Sequence, residues 1–158
     1  MTTVDMIDAD IPEVSALLGR SYAALAEREG LSAEQKQYLV LERGSIACVR
    51  RESRDQRYVV ARAGDELVGV VAVSGDLIGK LYVDPEHHGH GIGRTLYDSA
   101  ERLIRDAGHT RVRLGAFPTA VPFYERMGLS AVGEKVATGP LAGRVVVLME
   151  KPVIGSAT

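Results

Sequence analysis

Apolar residues recur at helical spacing early in the chain: Ile11, Val14, Leu17, Leu18, Tyr22 and Leu25 share one face. Asp10 and Glu13 have the spacing of a capping box, Pro12 falls in the first turn, and Gly30 closes the helix. Ser32 and Gln35 repeat that spacing, which predicts a second helix running to about Gly44. A short strand is predicted ahead of both, over residues 4–7. After Gly44 the texture becomes β-branched. Strands are predicted over Arg57–Arg62, Leu67–Val73 and Leu77–Val83, split by the turn signals Gly64-Asp65 and Ser74-Gly75-Asp76, so that they form an antiparallel meander. Ile92, Leu96, Ala100, Leu103, Ile104 and Ala107 then line one face of a helix that Gly108 stops. Val112 and Leu114 mark a further strand, and Ala120–Met127 a short helix ended by Gly128. Ser130–Val136 and Arg144–Glu150 are the last strands, joined through Ala137–Gly143. The order predicts a mixed α/β (α+β) fold, with a strand–loop–helix–strand unit in its middle.

The chain has 158 residues, the length of a single domain. A domain of this size needs no disulfide or metal to hold it. With 46% hydrophobic and 25% charged residues it excludes a disordered chain, a collagen and a coiled coil. Nineteen basic against 21 acidic residues leave no cationic excess, so no nucleic-acid partner is expected. Cys48 is the lone cysteine and reads as a small buried apolar residue between Ile46-Ala47 and Val49; it fits a reducing compartment. The first residues carry acids where a signal peptide carries Lys or Arg, and no run reaches membrane-spanning length. A cytoplasmic protein with no membrane partner is expected. The run Arg50-Arg51-Glu52-Ser53-Arg54-Asp55 alternates in sign and reads as a solvated loop.

The densest feature is Asp84-Pro85-Glu86-His87-His88-Gly89-His90-Gly91-Ile92-Gly93, between an apolar strand and an amphipathic helix. Glycine permits positive φ and close approach of a ligand. The first amides of a helix lack internal partners, and the dipole there is positive. Together these make an anion site suited to phosphate. A dinucleotide fingerprint is absent: its third glycine falls at Arg94 or Leu96, and Arg113 stands where the ribose-binding acid belongs. No Gly-Lys-Ser or Gly-Lys-Thr exists for a P-loop. A nicotinamide oxidoreductase is therefore disfavoured. His87, His88, His90 and Cys48 lack the spacing of a zinc site, and no metal is expected.

The stretch Leu81–Leu96 resembles motif A of the GNAT family of acetyl-CoA-dependent N-acetyltransferases, whose Q/R-x-x-G-x-G/A aligns with His88-Gly89-His90-Gly91-Ile92-Gly93. Ala120-Val121-Pro122-Phe123-Tyr124-Glu125-Arg126-Met127-Gly128-Leu129 resembles the family's A-x-x-F-Y-E-x-x-G-F motif, and Val147-Leu148-Met149-Glu150-Lys151 its last strand. Order and separation match as well, over most of the chain. The resemblance implies a mixed, mostly antiparallel central sheet flanked by helices, with splayed parallel strands at the acetyl-CoA site. It implies that pantetheine lies beside Leu81, Tyr82 and Val83, opposite Arg111–Gly115. The cofactor pyrophosphate would sit at the loop that His88 opens, on the amides of Gly89, His90, Gly91, Ile92, Gly93 and Arg94. Tyr124 matches the tyrosine that protonates the CoA thiolate. Residues 57–116 would form the cofactor-binding core, residues 1–44 the acceptor side, and residues 117–151 the closing helix and strands.

The same resemblance carries departures. His88 replaces the usual Gln or Arg, at a contact made mostly by backbone. Phe117 stands where the family often has a cofactor-binding asparagine, and Leu77 where some members carry a glutamate base. Asp76 is adjacent, but strand alternation is expected to turn it to the opposite face. A water held by backbone, Tyr82 or an acid from elsewhere are the candidates left, and the base is unassigned. The resemblance implies a small-molecule or peptide amine as acceptor, chosen by Tyr22–Leu41 and Ala137–Gly143, and is compatible with a homodimer. A catalytically silent acyl-CoA sensor is the alternative.

Overall fold

Valine-rich segments set the architecture. The computed structural model describes residues 1–154, and its seven strands form one sheet. They are β1 (Thr2–Asp5), β2 (Arg57–Ala63), β3 (Glu66–Ser74), β4 (Leu77–Val83), β5 (Arg111–Ala116), β6 (Ser130–Val136) and β7 (Val145–Pro152), in the spatial order β1-β2-β3-β4-β5-β7-β6. Every neighbouring pair is antiparallel except β4 and β5. β3 is buried from Leu67 to Val73, as its unbroken apolar run requires of a strand covered on both faces. Gly64 (φ 62°) and Gly75 (φ 60°) turn the hairpins on either side of it. The predicted meander is β2–β3–β4.

Helices cover the two faces. On one lie α1 (Ile11–Glu29), α2 (Ala33–Gln37), whose path continues as a π-helical segment over Tyr38–Arg43, and α3 (Ile46–Glu52). Ile11, Val14, Leu17 and Leu18 of α1 pack there on Tyr58, Val60, Val70 and Ala72. On the other lie α4 (Ile92–Asp106) and α5 (Val121–Arg126), with Leu96, Tyr97, Ala100 and Ile104 against Val68, Val71, Val112 and Leu114. Gly69 of β3 lets α4 approach: a Cβ there would lie 2.6 Å from Leu96 Cδ1 and 3.1 Å from Ile92 Cγ2.

Three local expectations change. The first strand lies at Thr2–Asp5 and not over 4–7. The capping box of Asp10 and Glu13 does not form. Asp10 instead accepts the Ile7 amide (2.9 Å) and Arg62 (2.7 Å), while Glu13 also takes Arg62 (3.1 Å), because a charge-assisted bond outcompetes a cap. The run at 50–55 is not simply a solvated loop, since α3 extends through Glu52, capped at its start by Ser45 on the Cys48 amide (3.1 Å). The Ser32–Gln35 box forms as expected, with both bonds at 3.1 Å, and Gly30 ends α1 at φ 65°.

The feature that matters for function is at β4. Its register with β3 shifts between Ala72 and Val73, so Lys80 pairs with Ala72 and Ile78 with Val73, and Gly79 has no partner. The bulge reverses the alternation of side chains across it. Leu77 alone pairs with β5, at Arg113, and the Arg113 amide donates to the Asp76 carbonyl (3.0 Å). β5 stays paired to β7 along its whole length, so β4 diverges from it beyond Leu77.

Candidate active site

The divergence opens toward the start of α4. Asp84 follows the strand there, buried, and its carboxylate accepts the Glu86 amide (3.1 Å) and Arg20 of α1 (2.7 Å). Burial pushes that carboxyl up, but Arg20 and the Glu86 amide outweigh it and hold Asp84 below its ordinary value. This fixes the exit of β4 against α1. The chain then turns through Gly89 (φ 85°) and Gly91 (φ 74°), conformations that L side chains rarely adopt. Gly91 is the N-cap of α4 and brings no side chain to cap it. The first helical bond runs from the Thr95 amide to the Gly91 carbonyl (3.1 Å), so the amides of Ile92, Gly93 and Arg94 precede the ladder. Gly93 serves packing instead. A Cβ there would lie 3.1 Å from Phe123 Cε1, so its absence lets α5 close on α4. His88 Nε2 lies 3.3 Å from the Val83 carbonyl, while Gly89, His90, Gly91 and Arg94 are exposed. His87 turns away, with Nε2 3.4 Å from Glu66. Glu66, Asp84 and His87 group their ligand atoms within 4.8 Å, but Asp84 is already engaged by Arg20.

Leu81 and Val83 pack toward α4, and Tyr82 toward α1. Tyr124 of α5 is buried beside Phe123, ring centroids 5.0 Å apart. Burial, with Tyr82 adding to it, raises the Tyr124 phenol well above its ordinary value, so its hydroxyl stays protonated at neutral pH. Tyr82 meets Tyr22 edge-on at 4.9 Å, and burial pushes its phenol up to about 12. A phenol so raised is protonated near neutrality and is a poor base. Asp76 corrects another expectation. It lies in the turn, and its carboxylate reaches Arg113 (2.6 Å) and Arg111 (3.1 Å) on the face where Leu77 pairs with Arg113. The two guanidiniums overcome the effect of burial and hold Asp76 below its ordinary value. It is on the right face and already neutralised. Phe117, at the asparagine position, packs at the edge of the α1-side core.

One cluster beside this opening is new. Glu52 of α3 receives Arg43 (2.7 Å), Tyr58 (3.1 Å) and Cys48 (3.2 Å), and Lys80 of β4 stands 3.1 Å away with only 2% of its side chain exposed. Burial lowers Lys80 from its ordinary value. Burial works to raise Glu52, but Lys80 and Arg43 outweigh it. The signal in the sequence was Lys80 itself, a cation amid apolar residues of a strand, which needs a counter-charge.

A family model of the acetyltransferase (GNAT) domain matches residues 23–151. Among solved structures, one described as a GCN5-related N-acetyltransferase, aminotransferase class-II, from Rhodopseudomonas palustris has TM-score 0.88 at 22% identity, over 96% of this chain and 95% of that one. The PaiA N-acetyltransferase of Thermoplasma acidophilum, in complex with coenzyme A, has TM-score 0.76 at 21% identity, over 97% and 100%. The phosphinothricin acetyltransferase of Sinorhizobium meliloti, in complex with AcCoA, has TM-score 0.74 at 21% identity, over 99% and 91%. No curated protein matches the chain. At such identities the structures speak for the fold, and the family model spans most of the sequence; the chain belongs to the GNAT acetyltransferase family.

Proposed function

We propose that the protein transfers an acetyl group from acetyl-CoA to a primary amine by direct attack. The observation that carries this reading is the unpaired edge of β4 leading onto the uncapped start of α4. Pantetheine would pair with backbone freed along Leu81, Tyr82 and Val83. The pyrophosphate would rest on the amides of Gly89, His90, Gly91, Ile92, Gly93 and Arg94, with His88 at the rim, where the helix dipole favours an anion. Residues 57–116 would thus hold the cofactor, with acceptor-side residues from 1–44 and the closing elements from 117–151.

In the reaction the amine nitrogen attacks the thioester carbonyl carbon and forms a tetrahedral intermediate. Collapse breaks the C–S bond, and the departing thiolate takes the proton of the Tyr124 hydroxyl. The nitrogen loses its proton to solvent and the Tyr124 phenolate regains one from solvent, leaving an N-acetyl product, free CoA and the starting phenol. The Tyr124 hydroxyl, held by α5 beside Phe123, is a group that acetyl transfer would use and a silent acyl-CoA sensor would not need. Leu77 has no basic group, Asp76 is held by two arginines, and Tyr82 stays protonated, so the amine is expected to enter neutral.

Calorimetric titration tests the reading. Acetyl-CoA is expected to bind with a Kd of about 1–100 μM, or roughly −5.5 to −8 kcal/mol, and NADH not at all. Absence of acetyl-CoA binding would overturn it.

A further inference from the structure

The two faces of the sheet are covered unequally. The core beneath α1–α3 draws its strand residues from β2 and β3, with Tyr82 of β4 at its edge. Farther along that face Arg111, Arg113 and Gly115 of β5 are exposed, and so is every residue of β6. A cleft of about 410 Å³ opens where this bare half meets the start of β4, at the closed end of its divergence from β5, and Leu77, Gly79 and Gly115 line it. Val146 and Leu148 of β7 add an apolar floor. Gly115 keeps that floor open, since a Cβ there would come within 2.8 Å of Val146 Cγ1.

The charges around the floor do not cancel. Arg113, Lys135 and Glu150 border the cleft. Glu150 is taken by Arg111 (2.9 Å). Asp76 takes the Nε of both Arg111 and Arg113. Two carboxylates thus balance two guanidiniums, and among the described residues the terminal nitrogens of Arg113 make no hydrogen bond. Lys135, beside Val146 in the ladder, has no ion pair among the described residues. Its neighbour Glu134 pairs with Val147, which packs against the opposite, α4-side core, so it does not neutralise Lys135 across the cleft. One full positive charge and a guanidinium fork therefore flank an apolar floor at the closed end of the β4–β5 opening.

We propose that this cleft receives the acceptor, and that Arg113 and Lys135 select a small amine that also carries a carboxylate. The inference rests on the acetyl-transfer reading above and names its substrate class. A guanidinium fork and an ammonium are the groups that hold a carboxylate, and the floor suits a short aliphatic stem. A rival groove, lined by Glu34 and Glu42 with Pro140, would draw a polycationic amine instead. None of its lining residues belongs to β4 or β5, where the opening lies.

The test uses amino acids, each paired with its own carboxamide, together with a polyamine, at saturating acetyl-CoA. Amidation keeps the size and removes the negative charge. The acid should exceed its amide in kcat/KM by about tenfold or more, mainly through KM. Lys135→Gln and Arg113→Gln should each shrink that ratio, and the double variant should bring it near one. Arg113→Gln also releases Asp76, so Lys135→Gln, at an exposed strand position, decides the matter if the other fails to fold. An equal or better amide, a preference for the polyamine, a ratio untouched by Lys135→Gln, or turnover of no acceptor by protein that binds acetyl-CoA would each overturn the proposal. Failure to bind acetyl-CoA in calorimetry would instead overturn the reading beneath it.

Discussion

Lys80 stands at an apolar position of β4 with Glu52 as its carboxylate, 3.1 Å away, and Arg43 draws on the same carboxylate at 2.7 Å. Glu52→Gln would leave both cations without a counter-charge, and Lys80 has nowhere to hydrate. Removing one partner of such a pair costs about 3–5 kcal/mol, read as a lower midpoint in urea unfolding. Lys80→Met in the same background should recover part of the loss, because it removes the stranded charge. Tyr124 calls for a different experiment. Tyr124→Phe keeps the ring against Phe123 and deletes the proton, so kcat should fall about 10²-fold with acetyl-CoA affinity nearly unchanged. An unchanged kcat would remove Tyr124 as the acid. The two residues also differ in how visible they were. Tyr124 stood out because it lies in a motif of fixed spacing. Glu52 did not, because its run of alternating charges looks like solvent-facing chain until α3 is seen folded against β4.

At the scale of elements, the glycines were legible and the bulge was not. Gly30, Gly108 and Gly128 all follow helices at positive φ, and β4 and β6 begin and end where their patterns put them. Those signals are local, so one sequence suffices to read them. The unpaired Gly79 depends on how β4 registers with β3, which no pattern within Leu77–Val83 encodes, and the divergence from β5 was expected only through the family resemblance. The same distance from local pattern explains the lost capping box at Asp10: its rival, Arg62, is far along the chain. Two glycine substitutions separate the roles of the α4 start. Gly91→Ala forces an L side chain to φ 74°, a strain of about 1–2 kcal/mol, and should weaken acetyl-CoA binding by misdirecting the first amides. Gly69→Ala places a methyl 2.6 Å from Leu96 Cδ1, an overpacking cost of about 1–3 kcal/mol. It should lower Tm, with any change in acetyl-CoA Kd tracking how far α4 is pushed from the sheet. Equal Kd values for Gly91→Ala and the parent protein would show that the loop conformation does not matter for the cofactor.

Across the whole molecule, pH acts through two separate sets of groups. Glu52, Asp76, Asp84 and Glu101 of α4, which takes Lys151 and Arg105 at 2.7 Å each, all have carboxyls held below their ordinary values by partners that outweigh their burial. A depressed folded value contributes stability above the ordinary carboxyl range, which is lost as pH falls through the folded values. Stability should therefore be flat near neutrality and decline below about pH 4.5, with high salt softening the contribution of the more exposed Asp76 pair. Turnover should respond at the other end of the scale. Leu77 stands where some family members carry a base, the adjacent Asp76 is held anionic by Arg111 and Arg113, and the Tyr82 phenol is pushed up to about 12. The ammonium form of the acceptor must then lose its proton before it attacks, and the reactive fraction grows tenfold per pH unit below the amine's own pKa. A plot of log kcat/KM against pH should rise with unit slope from about pH 6 until it approaches that pKa, and its bend should move when the acceptor is exchanged for a less basic amine. A bend at the same pH for every acceptor would instead report a base supplied by the protein.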